Sequence, residues 1–389
     1  MIFLTKRQRK NLRSCFKFSC LISAPLILAL IVNSLPAINK FIKKADNIVL
    51  YTPEKNLQAG MNESLTMKHD DEEGLPFVNY DISEGFGYIY EEDAPDEVPK
   101  DAWLYKVVNK TPGEKPYPTA WTEGGQIFRN TYGKFKGETY FGLLNGGQVQ
   151  NKTSISNETL YKESKILPDF KIELNSDAPQ VLIYHTHTTE SFEPYQRSWF
   201  DAEFNYRTTD ETKNITMVGN EIQKQLEAQG IKTVQALTIH DYPSYNGSYE
   251  RSRETVKKLL EQYPSIKVVL DIHRDAISSK NTAYQPFIEV NGKEAAQVMI
   301  ISNCDDGSGS IPNYIKNFRF ASLIQQQIEG DYPGLTRPIL FDYRKYNQDL
   351  TTGSLLIEIG SHVSTLEQVQ YTGQLLGASL SRTLIGMAK

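Results

Sequence analysis

With 389 residues, 39% of them hydrophobic, the chain is long enough for one sizeable domain with extra segments but not for three large domains. Nine of its 42 Lys and Arg fall in the first 44 positions; beyond them 33 basic residues face all 47 acidic ones, a balance of −14 that argues against a nucleic-acid partner. Cys15 and Cys20 lie near the start and Cys304 stands alone, which excludes a disulfide framework for the remainder.

Lys6, Arg7, Arg9, Lys10, Arg13 and Lys17 precede an apolar run from Phe18 to Pro36. Such a run can just span a bilayer, and the denser positive cluster before it predicts a cytoplasmic segment at 1–17, with everything after the anchor outside. No A-x-A-like site follows, so residues 18–36 are expected to be an uncleaved transmembrane helix, not a signal peptide. Residues 37–100 read as an acidic tether, interrupted by Pro53, Gly60, Gly74, Pro76, Pro95 and Pro99, with acidic clusters at Asp70 to Glu73 and Glu91 to Asp93. From 101 to 178 the composition turns to Tyr, Phe, Thr and Gly, with turn signals at Pro112-Gly113, Gly124-Gly125 and Asn145-Gly146-Gly147. This predicts a small β-rich or irregular lead-in, including a short strand at Thr139 to Leu144.

From 179 to 389 strand and helix patterns alternate. The strand Val181 to Tyr184 is followed after a long loop by a helix at about Asn214 to Gln229, with Ile215, Val218, Ile222 and Leu226 on one face. A strand at Ile231 to Leu237, a helix at Ser248 to Gln262 and a strand at Ile266 to Ile272 come next; the unbroken Val268-Val269-Leu270 centre implies burial on both faces. Phe287 to Val290, Asn291-Gly292 and Gln297 to Ser302 read as a hairpin with a type I′ turn. A helix at Tyr314 to Glu329, a strand at Ser354 to Ile359 and a final helix carrying Leu366, Val369, Leu376, Leu380 and Leu384 complete an α/β domain with a mostly parallel sheet flanked by helices.

Ligands of such sheets bind outside the carboxyl ends of the strands. Three strands here end in ionisable groups: His185-Thr186-His187-Thr188-Thr189-Glu190, Asp271-Ile272-His273-Arg274-Asp275, and Glu358 within LLIEIGS. Period-two alternation would point His185 and His187 the same way, and Glu190 is far enough past the strand for the chain to return its carboxylate to the imidazole. For one such His-x-His alone, two ordinary surface histidines are the plainer reading; three ionisable strand ends together reverse it. Two imidazoles and one carboxylate are a usual ligand set for catalytic Zn2+, with the fourth position left to water. Amide hydrolysis also needs a proton shuttle off the metal, by elimination Glu358.

The blocks VLIYHTHTTESF, HDYPSYNGSYERSR, VVLDIHRDA and LLIEIGS resemble the stage II sporulation protein P family, membrane-anchored peptidoglycan hydrolases of endospore formers, over residues 178–389. That domain is similar to the zinc-dependent N-acetylmuramoyl-L-alanine amidases. The resemblance implies His187 and His273 as metal ligands and Glu358 as the catalytic acid and base. It further implies cleavage of the muramoyl to L-alanine amide, and of peptide cross-links, on the mother-cell side of the sporulation septum. The implied partners are peptidoglycan, the septal membrane, the lytic transglycosylase stage II sporulation protein D and other engulfment proteins. The amidases' glutamate ligand at the start of the first helix has no clear counterpart, so Glu190 is taken as the third ligand, with Glu211 and His240 as alternatives. His185, Arg274 and His240 are expected behind the ligands or against substrate, and His185 and His187 could exchange roles. A catalytically inactive septal scaffold and an endopeptidase acting only on stem peptides are the competing readings.

Overall fold

The computed structural model describes residues 113–279 and 281–389. The cytoplasmic segment, transmembrane helix and tether expected from the sequence lie outside those residues, as does the start of the lead-in. Among the described residues no helix is long and apolar enough to cross a membrane. The lead-in supplies strands β1 (Glu123–Asn130), β2 (Tyr140–Gly142) and β3 (Gln148–Asn151) and a short helix α1 (Asn157–Glu163). Then come β4 (Val181–Tyr184), β5 (Trp199–Asp201), α2 (Thr216–Glu227), β6 (Thr233–Gln235), α3 (Ser248–Gln262) and β7 (Val268–Asp275). The chain continues through β8 (Ser278–Ser279), β9 (Thr282–Val290), β10 (Lys293–Ala296), β11 (Val298–Asn303) and α4 (Tyr314–Asp331). It closes with β12 (Ile339–Asp342), β13 (Ser354–Ser361) and α5 (Leu366–Ile385).

The main sheet has eight strands in the order β2-β3-β12-β11-β13-β7-β4-β6. It is mixed: β2 with β3 and β11 with β13 are antiparallel, and the other neighbours run parallel. A second sheet, β10-β9-β1-β5 with β8 on β9, joins the lead-in to the hairpin region. Lead-in strands thus extend both sheets, β3 beside β12 and β1 beside β9. The predicted hairpin differs in one respect. Asn291 (φ 51°) and Gly292 (φ 74°) make the left-handed turn, but the returning strand is β10; after Gln297 the chain leaves β9 and inserts as β11 between β12 and β13.

Period-two alternation divides the main sheet into two faces. Val181 and Ile183 of β4, Leu270 and Ile272 of β7, and Leu355 and Ile357 of β13 meet Val218 and Ile222 of α2, Phe318 and Ile324 of α4, and Leu376 and Leu380 of α5. On the opposite face Leu182, Tyr184 and Val269 cover Val256 of α3, while Met299, Ile301, Leu340 and Leu356 meet Tyr132 and Ile277. Between these two apolar patches lie the polar residues of β7 and β13.

Candidate active site

Glu358 of β13 pairs directly with His273 of β7, so their side chains share the face that also carries Asp271. Past Tyr184 the strand geometry of β4 ends in a turn over Thr186 to Thr189, closed by the Glu190 amide donating to the His187 carbonyl at 3.1 Å. That turn returns Glu190 to the tip of β7. Its Oε2 accepts the Arg274 amide at 3.0 Å and lies 3.6 Å from His273 Nδ1. Its Oε1, 3.7 Å from Arg207 Nη2, makes no hydrogen bond.

His187 meets His273 edge to face at 5.2 Å between ring centres and stacks on Tyr245 at 4.6 Å. Its ring nitrogens face the Tyr245 hydroxyl at 3.2 Å and the Ser248 hydroxyl at 3.4 Å. Arg251 holds that aromatic loop by donating to three carbonyls, those of His240, Ser244 and Asn246. Asp241 accepts from Thr189 at 2.7 Å and from Arg207 at 2.6 Å, which fixes the guanidinium near Glu190.

The electrostatics separate these groups. Burial, reinforced by His273, Arg207 and Arg274, holds His187 well below the ordinary imidazole pKa, so its ring is neutral. Burial also acts against a charged His273, but the carboxylates of Asp271, Glu190 and Glu358 outweigh it and raise that imidazole to about 9. His273 Nε2 sits 2.8 Å from Asp271 Oδ1, although not in hydrogen-bond alignment. Burial, then Asp275, pushes Glu358 well above the carboxylate range, and its Oε2 has no hydrogen-bond partner.

His185 does not point the same way as His187. It lies one residue past the end of β4 and under α2: Nδ1 donates to the Ile272 carbonyl at 2.9 Å and Nε2 accepts from Gln235 at 3.0 Å. With both nitrogens taken by protein, the ring is a neutral bridge, and burial lowers its pKa to about 4. His240 is similarly engaged, through the His185 carbonyl at 2.7 Å and Thr255 at 2.9 Å. Glu211 is exposed, unlike the buried His187, Glu190 and His273. Arg274 is buried and reaches the Tyr206 carbonyl at 3.1 Å, while Asp275 pairs with Arg337 at 2.8 Å. Sequence reasoning gave no role to Arg207, Asp271, Tyr245 or Arg337. Only the alternation Asp271-Ile272-His273 carried a readable signal.

The donor set suits a zinc-type cation in its chemistry. It offers a neutral imidazole, a second imidazole backed by Asp271, and a buried Glu190 oxygen lacking a hydrogen bond. Among the described residues no three such groups converge on one coordination point.

The model of the family described as Stage II sporulation protein P (SpoIIP) matches residues 138–381. The chain belongs to this family. It is similar to the stage II sporulation protein P of Bacillus subtilis (strain 168), at 32% identity over 209 residues. That match covers 51% of this chain and 49% of the relative, so it spans about half of the relative's length. Among solved structures, N-acetylmuramoyl-L-alanine amidase AmiC2 of Nostoc punctiforme superposes with a TM-score of 0.32 at 11% identity, over 53% of this chain and 96% of that one. The CwlD amidase from Clostridioides difficile, solved with the GerS lipoprotein, has a TM-score of 0.31 at 10% identity, over 53% and 99% of the two chains.

Proposed function

We propose that this stage II sporulation protein P family member is a peptidoglycan hydrolase that cleaves the amide between N-acetylmuramic acid and the L-alanine of the stem peptide. In this reading residues 18–36 anchor it, residues 37–100 hold the enzyme off the membrane, and it acts at the sporulation septum during engulfment beside stage II sporulation protein D. Cleavage of peptide cross-links belongs to the same proposal. The observation that carries it is the pairing of Glu358 with His273 on adjoining parallel strands, with His187 and Glu190 brought to them by the turn after β4.

His187, Glu190 and His273 would hold a zinc ion, which when bound polarises the scissile carbonyl and acidifies a water towards neutrality. Asp271 orients the His273 ring so that Nδ1 faces Glu190. Arg207, tied to Asp241, steadies the Glu190 carboxylate from the other side. Glu358, kept protonated by burial and by Asp275, can give its proton to the leaving nitrogen and regain one from water. The Tyr245 and Tyr249 rings beside His187 keep bulk water from that side.

The test is to incubate the full-length protein with purified peptidoglycan and identify products by mass spectrometry. Unsubstituted glycan strands and free stem peptides are expected. Glu358→Gln should slow their release by about 10²–10⁴-fold, and His273→Ala or a chelator should abolish it. Wall binding without products from the unaltered protein would favour a scaffold that has lost the chemistry.

A further inference from the structure

The segment leaving Glu190 runs along the segment leaving β13. The Glu193 amide donates to the Ser364 carbonyl and the Leu366 amide to the Glu193 carbonyl, both at 2.9 Å. Between these two segments and the turn from β9 to β10 lies an open cleft of about 320 Å³. Tyr195 and Gln196 form one wall, Glu367 and Gln368 at the start of α5 a second, and Lys293 and Glu294 a third. Pro194, at the edge of the cleft, follows Glu190 closely in the chain, within a reach of at most about 14 Å.

The walls are held from behind. Arg197 lies over the rings of both Trp121 and Trp199 at 4.2 Å and pairs with the buried Glu193 at 2.5 Å, which fixes the loop that carries Tyr195. Glu294 is tied to Arg129 at 2.5 Å and accepts Gln368 Nε2 at 2.9 Å. Lys293 Nζ lies 5.6 Å over the ring of Tyr371. Against these anchored groups Tyr195 is 56% exposed.

Size and chemistry narrow the ligand class. Clefts that take small ligands run from roughly 300 to 1,000 Å³, so this one suits one or two small rings and not a folded partner. Glu294 and Glu367 oppose an anion, while Lys293, and Arg129 behind Glu294, oppose a cation. The Gln368 amide is already taken by Thr365 Oγ1 at 3.2 Å, so the start of α5 is not a phosphate cradle. A neutral ligand rich in hydroxyl groups fits what remains. The Gln196 amide both donates and accepts, the carboxylates accept, the ammonium donates, and an exposed tyrosine face offers a flat apolar surface. A pyranose ring has both matching parts, hydroxyls at its rim and C–H groups on its faces.

We propose that this cleft is a saccharide subsite, which holds a sugar of the glycan strand beside the muramoyl residue whose amide is cut. The sugar stacks on Tyr195, and its hydroxyls bond Gln196 and Glu367. The inference rests on the peptidoglycan hydrolase reading and deepens it: the enzyme recognises the glycan as well as the stem.

The experiment is calorimetry on the full-length protein with a peptide-free tetramer of β-1,4-linked N-acetylglucosamine. The unaltered protein and Glu358→Gln should bind it alike. Tyr195→Ala should weaken binding by about tenfold, through loss of one aromatic face, and Gln196→Ala severalfold. Neither should lower the thermal midpoint, because both side chains are exposed. Tyr343→Ala, at an exposed tyrosine that does not line the cleft, should leave binding unchanged. No binding by the unaltered protein overturns the subsite, as does binding that Tyr195→Ala and Gln196→Ala leave intact or that Tyr343→Ala weakens equally. Wall digestion separates the two claims: amide cleavage without tetramer binding sinks the subsite alone, and Tyr195-dependent binding without cleavage sinks the hydrolase reading alone.

Discussion

The buried histidines around the sheet end are shifted in opposite senses. His185, His187, His240 and His362 are held below the ordinary imidazole range, chiefly by desolvation, whereas carboxylates raise His273 to about 9. For His185, lowered from 6.5 to about 4, the unfolded chain binds the proton first, so its contribution to stability is present above pH 6.5 and lost as pH falls towards 4. We expect His185→Asn to flatten the fall in urea-unfolding free energy between those pH values by about 3 kcal/mol; an unchanged slope would remove His185 as its source. His273 has the reverse sign, stabilising below the unfolded pKa and losing that contribution as pH rises through about 9. The residues at the strand ends were legible because ionisable side chains inside apolar runs stand out in a sequence. Their partners were not: Arg207 and Arg337 look like ordinary surface arginines until the fold buries both.

At the scale of elements, α2 lies close on β4 and β6 because residue 219 has no side chain. A Cβ there would fall 2.3 Å from Gln235 Nε2 and 2.9 Å from His185 Nε2. Gly219→Ala gains helix propensity but must break the His185 to Gln235 bond, and overpacking of this kind costs about 1–3 kcal/mol. The midpoint of urea unfolding should therefore fall, and a rise would refute the close contact. The amphipathic period of α2 is a local feature legible in the sequence, whereas the capping box of α5, in which Thr365 and Gln368 bond reciprocally, is a finding of the structure. The exit of β11 from the predicted hairpin could not, because the Asn291-Gly292 signal dictates a turn but not how long the returning strand stays paired.

For the molecule as a whole, the lead-in is part of the folding unit. Val149 of β3 packs in the main core beside β12, and Ile127 of β1 packs with Phe200, Tyr206 and Ala283. A fragment starting at residue 179 would leave β12 and β9 with exposed edges and uncovered apolar surface. Expressed alone, that fragment should lack a cooperative thermal transition, whereas one starting at 113 should keep it; equal transitions would restore an independent domain at 179. Removing one partner of the buried Arg337 and Asp275 pair, as in Arg337→Met, should cost about 3–5 kcal/mol by denaturant titration.

By itself the sequence determined the alternation of strand and helix from β4 to β7, the helices α4 and α5, the α/β class and the strand ends where ionisable groups gather, but not β1, β3, β5, β12 or α1, since periodicity, turn chemistry and charge within apolar runs are properties of near neighbours and the missed elements are short. Tertiary structure alone decided which of those groups meet. Glu190 reaches Arg274 across 84 positions and Asp275 reaches Arg337 across 62, through sheet pairings that no local pattern specifies. It also parted His185 from His187, two positions apart, because the strand that would have aligned them ends at Tyr184.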